Sequence, residues 1–81
     1  MKQKHHDFDV ISGDRVEDTR GNVYLITSIT ESVGYELSRP YGGRVVNLIC
    51  VSGPNAPNAR DIKYRVLHEM SRNSKLWKCN T

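Results

Sequence analysis

Three groups of side chains in this 81-residue chain have the types and spacing to do chemistry. Cys50 and His68 are the first. A thiol nucleophile needs a histidine oriented by a third group, and Cys50 lies in the apolar run "VVNLICV", where a thiol packs as an inert side chain. The expectation is therefore a protein that is not an enzyme. His5, His6, Asp7 and Asp9 form the second group. Adjacent histidines in a polar leader lack the spaced ligand pairs of a structural zinc site, and Cys50 and Cys79 complete no C-x-x-C pair. Neither a metal nor a cofactor is expected.

The third group is Arg39-Pro40-Tyr41-Gly42-Gly43-Arg44. Its double glycine suggests a phosphate cradle, but such loops join a strand to a helix and carry a lysine or a third glycine at fixed spacing. Here the β-rich run "RVVNLICV" follows, so the segment reads as a hairpin loop, with Pro40 at one corner and Gly42-Gly43 at the other. Arg39 and Arg44 would stand at its two roots and Tyr41 at its tip. Guanidinium groups placed this way meet phosphates while the ring stacks on an unpaired base. Arg65, Arg72, Lys75 and Lys78, beside Trp77, form a second basic set on the outer face of a helix and in the tail. The same hairpin residues would serve equally as anchors in a protein interface, where Arg and Tyr are over-represented.

Charge supports an anionic partner. Residues 1–59 hold six Lys/Arg against seven Asp/Glu, whereas residues 60–81 hold six against two. Two cysteines in a chain of this size make no disulfide framework, which points to a reduced, cytoplasmic setting. No apolar run approaches the roughly 20 residues of a bilayer span, and no apolar segment follows the basic start "MKQK" as a secretory signal requires.

The elements that must position these groups fit one small domain. Residues 1–9 read as a flexible leader, residues 10–72 as a β-rich domain, and residues 73–81 as a basic tail. Gly13-Asp14 and Gly21-Asn22 are turn signals. "VYLITSITES" is the clearest strand, and alternation makes Val23, Leu25, Thr27 and Ile29 its core face. "YELSR" returns as a further strand. In residues 44–51, Val46, Leu48 and Cys50 share one face, and Val45, Ile49 and Val51 the other, as in a strand covered on both sides. "SGPNAPNA" is a loop. Asn58 can then cap a helix over about 59–72, with Ile62, Val66, Leu67 and Met70 as its apolar stripe. The rival is a strand, since Ile62, Tyr64 and Val66 also alternate; the length of the segment and the weak β-propensity of "HEMSR" favour helix. The fold class is mainly β (α+β): a small curved antiparallel sheet or barrel of about four to five strands with one C-terminal helix.

"SGDRVEDTRGNVYLITSI" resembles the opening of small Src-homology-3-like barrels of the KOW and Tudor kind, in which a "GD.V" turn enters the first strand and a "G..Y.V..I" strand follows. It also resembles short uncharacterised proteins of enterobacterial prophages, through Asp18-Thr19-Arg20-Gly21, Val33-Gly34-Tyr35, and Arg39 with Tyr41-Gly42. The loop at 52–59 and the basic C-terminal segment depart from both patterns. The first resemblance implies a module that binds RNA, DNA or protein tails. The second implies a phage accessory protein in the host cytoplasm, which as an inhibitor would dock on a host protein complex. Apolar residues on both faces of two strands add the expectation of a protein partner or a homodimer. The leading expectation is a nucleic-acid or nucleoprotein binding module.

Overall fold

A computed structural model of the chain describes residues 9–31 and 43–79. Its elements are β1 (Arg15–Asp18), β2 (Val23–Glu31), β3 (Arg44–Ser52), β4 (Ala59–Lys63), α1 (Tyr64–Arg72) and β5 (Leu76–Lys78). The strands form one antiparallel sheet in the order β4-β3-β2-β1-β5, with α1 near the C-terminal end. The sheet is not closed into a barrel. β4 and β5 are its edges, and α1 links them by crossing one face.

That face carries the core: Val16, Tyr24, Ile26, Val46, Leu48, Cys50 and Leu76 from the strands, met by Tyr64 and Leu67 from the helix. Val46, Leu48 and Cys50 pack as their alternation implies. In β2 the expected core face is inverted, because Tyr24 and Ile26 are buried while Val23 and Leu25 are only half-buried. The cause is a bulge. Ile26 pairs with Leu48 and Ser28 with Asn47, which leaves Thr27 as the extra residue and returns Ile29 to the helix side. Hydrogen bonds hold the bulge from both sides: Thr27 Oγ1 donates to the Asn47 carbonyl (3.0 Å), and Ser12 Oγ donates to the Thr27 carbonyl (2.9 Å). Asn47, the polar break in an apolar strand, donates its Nδ2 to Ser28 Oγ at 2.8 Å on the helix-free face.

The expected helix over 59–72 is corrected to a strand followed by a helix. Residues 59–63 pair with β3, where Ile62 lies opposite Val46, and the helix begins at Tyr64. Asn58 caps nothing; its carbonyl accepts from the Cys50 amide at 2.9 Å and so opens the β3–β4 ladder. Both periodicities in the segment were real, but they apply in succession. Of the two courses open to the last residues, a basic tail or a Leu-Trp pair folded back on the sheet, residues 76–78 take the second and pair with β1, with Trp77 opposite Glu17. The "YELSR" strand lies outside the described residues.

A buried amide fastens the end of the sheet away from Arg44. The Asn22 side chain is fully buried, and its Nδ2 donates to Asp18 Oδ2 (3.0 Å) while its Oδ1 accepts from the Asn55 amide (2.7 Å). The β1–β2 turn is thereby tied to the β3–β4 loop. Gly53 permits the approach: at φ +105, a Cβ there would sit 2.7 Å from both Asn22 Cα and the Gly21 carbonyl oxygen. The helix ends in a Schellman-type closure, with Lys75 N donating to the Met70 carbonyl and Ser74 N to the Ser71 carbonyl. The left-handed position, usually glycine, is Ser74 at φ 60.

Two stability outcomes follow. Ser74→Gly relieves left-handed strain and raises unfolding free energy by about 1 kcal/mol in urea titration. Gly53→Ala forces a backbone clash and lowers it by about 2 kcal/mol or more, with the β1–β2 turn amides losing exchange protection first.

Candidate functional site

The charges of the described residues are segregated along the chain. Residues 9–31 hold two Lys/Arg against five Asp/Glu, and residues 43–79 hold seven against two. The stretch that carries β3, β4, α1 and β5 is therefore cationic, and the stretch that carries β1 and β2 is acidic.

At one end of this side, Arg44 opens β3 with its guanidinium 4.9 Å from the centroid of the Tyr64 ring. Tyr64 is the first residue of α1 and is buried, so the ring is a fixed platform. Its hydroxyl accepts from the Val10 amide at 3.0 Å and lies 3.4 Å from both the Val10 carbonyl and Asp9 Oδ1. Burial raises the phenol's pKa, the nearby Asp9 charge adds to this, and hydrogen bonding to the Val10 backbone and the Arg44 charge oppose it. The ring thus stays neutral, and Arg44 rests on its face with the guanidinium exposed. Lys63 and Arg65 flank Tyr64 in the chain and are exposed.

Arg65 Nη1 pairs with Glu69 Oε1 at 3.3 Å across one helical turn, a solvated contact that leaves most of its donors available. Arg72 is seven residues on, about 10 Å along the same exposed helix face. Lys75, in the helix closure, is exposed as well. Arg44, Arg65, Arg72 and Lys75 therefore belong to one layer, spread from its Tyr64 end to its Ser74 end.

Two of the anticipated residues sit differently. Trp77 is 9% exposed within β5, so its ring offers no stacking surface; a hydrophobic residue in a central position of a paired strand is packed, not displayed. Lys78 Nζ is bound to Asp14 Oδ2 at 3.3 Å, which anchors β5 to the turn before β1. Arg39 and Tyr41 lie outside the described residues. Arg60 and Lys63 were missed by motif-reading, although the charge count of residues 60–81 already contained them.

Among the described residues, no group of three or more His, Cys, Asp or Glu gathers as a metal site. The Cys50 thiol is buried and donates to the Ser52 carbonyl at 3.2 Å. No helix among the described residues is long and apolar enough to cross a membrane. No family model, curated protein or solved structure matches the chain.

Asp18, at the end of the sheet away from Arg44, is the anion whose state matters most for the scaffold. Burial raises its pKa, but hydrogen bonds from the Asn22 side chain and backbone and from the Arg20 amide, with the Arg20 charge, bring it on balance below the ordinary carboxylate range. A depressed carboxylate contributes stability above its unfolded pKa and loses it as pH falls through the folded value. Unfolding free energy should therefore decline in acid below about pH 4, and Asp18→Asn should flatten that decline relative to the parent chain when urea midpoints are compared between pH 2 and 6.

Proposed function

We propose that the protein is a non-enzymatic binding module whose cationic helix layer contacts the phosphate backbone of a nucleic acid or nucleoprotein complex. The observation that carries the reading is the Arg44–Tyr64 platform beside Lys63 and Arg65, continued along the helix by Arg72 and Lys75. Guanidinium groups held by packing lose little side-chain freedom when they meet phosphate oxygens. With Trp77 buried, contacts from the helix layer are to the backbone, and they carry no base identity. Arg39 and Tyr41 precede Arg44 in the chain, and Tyr41 would add a stacking group to this basic set.

A second reading, a phage-type accessory protein that docks on and inhibits a host protein complex, draws on the helix-free face of the sheet. Leu25 pairs with Ile49 there, both half-buried, and Val51 is 45% exposed.

The decisive measurement is binding of a fluorescent single-stranded oligonucleotide from about 20 to 200 mM salt. The expected result is affinity that falls steeply with salt, with the log–log slope flattened by about 0.7 for each contacting cation replaced. Arg44→Ala and the pair Arg65→Ala with Arg72→Ala report the two ends of the layer. Arg39→Ala reports the segment before Arg44. Absence of binding at the lowest salt ends the nucleic-acid reading.

A further inference from the structure

The edge strand β4 stands exposed beside an apolar cleft. Ala59, Arg60, Asp61 and Lys63 are all exposed, and only Ile62 turns partly inward. Between the sheet and the helix lies a cleft of about 20 Å³, lined at β4 by Arg60 and Ile62, by Tyr24, Leu48, Leu67 and Met70 along its length, and reaching Val16, Asp18 and Leu76 at the other side of the sheet. This is room for the tip of one apolar side chain. Among the described residues, Arg60 has neither an ion-pair partner nor a hydrogen-bond partner for its side chain.

The ladder fixes which backbone groups face outward. Cys50 N donates to the Asn58 carbonyl, and the same register pairs Leu48 with Arg60 and Val46 with Ile62. In an antiparallel pair the bonded residues alternate, so the N–H and C=O groups of Arg60 and Ile62 turn to β3. Those of Ala59 and Asp61 turn away, toward the edge. The side chains of Arg60 and Ile62 share the helix side of the sheet, two residues apart.

From this arrangement we infer that β4 accepts an extended peptide from a partner protein as a sixth, antiparallel strand. Its motif is an apolar residue followed two positions later by an acidic one. The apolar side chain lies opposite Ile62 and enters the cleft, while the carboxylate lies opposite Arg60. A second copy of this chain does not fit. Two-fold pairing of β4 with itself centres on Arg60, Asp61 or Ile62, which opposes Arg to Arg, opposes Asp to Asp, or leaves Arg60 facing Tyr64. None supplies an acid to Arg60. The inference does not rest on the nucleic-acid reading, since it uses Arg60, Ile62 and the outward backbone groups of β4 and needs no contact at Arg44 or Arg72.

The test titrates the full, isotope-labelled chain with the blocked peptide Thr-Glu-Leu-Lys-Glu-Thr-Thr, in which the Leu and the second Glu take those two positions. Saturable shifts at the Ala59 and Asp61 amides below about 2 mM, with slowed hydrogen exchange there, support the inference. Arg60→Glu should weaken binding about fivefold, and a peptide with Lys in place of the second Glu should recover it. That Lys peptide should bind the parent chain about fivefold less tightly, a readout that needs no variant protein. Absence of saturation, indifference to the Arg60 swap, shifts confined to the Leu25–Ile49 face, or an oligonucleotide shifting the β4 amides where the peptide does not, would each overturn it.

Discussion

The two edges of this sheet must be joined by the twelve residues Tyr64–Lys75, because β4 and β5 lie at opposite ends of the strand order. Four interstrand steps at about 4.8 Å put those edges about 19 Å apart. A nine-residue helix spans about 13 Å, and the three residues after it supply the remainder. There is no slack for the connection to wander. It must lie across the sheet, and by doing so it selects the face that becomes the core. Tyr64 and Leu67 are buried because they belong to this strap, and the opposite face keeps Leu25 and Ile49 only half-buried because a second strap does not exist among the described elements.

The strap also explains the distribution of charge. A helix laid on a sheet buries one stripe and must solvate the other, so Arg65 and Arg72, seven residues apart, share its outer surface. Tyr64 is where the strap is fastened. Its ring fills the junction between β4 and the helix, its hydroxyl holds the chain at Val10, and its outer face receives Arg44. One aromatic side chain thus joins three segments distant in sequence, which an aliphatic residue of similar volume would do by packing alone.

Much of the architecture was legible in residue type. The β-branched runs at 23–31 and 44–52, the glycine turns and the inward set Val46, Leu48 and Cys50 all follow from local propensity and alternation. What alternation could not reveal was Thr27, because a bulge is a property of a strand pair and its side-chain hydrogen bonds reach residues fifteen and twenty positions away. Likewise the boundary at Lys63–Tyr64 has no side-chain cap to announce it, and Ile62 serves the strand as well as it would have served a helix stripe. The cationic character of the surface was visible as a charge count. Its organisation was not, since the Arg44–Tyr64 contact joins residues twenty positions apart, and a tryptophan in a basic stretch looks the same whether displayed or packed.

The segregation of sign has a consequence for motion before any contact is made. With the β1–β2 stretch acidic and Arg44, Arg65, Arg72 and Lys75 set at and along the helix, the described residues carry their charge unevenly as well as in excess. In the field of a highly charged body the chain experiences a torque, which turns the helix layer toward an anionic surface while the molecules are still separated by about a Debye length, some 10 Å in dilute salt. Orientation, the slow part of most macromolecular encounters, is in this way partly solved by where the backbone crosses its own sheet.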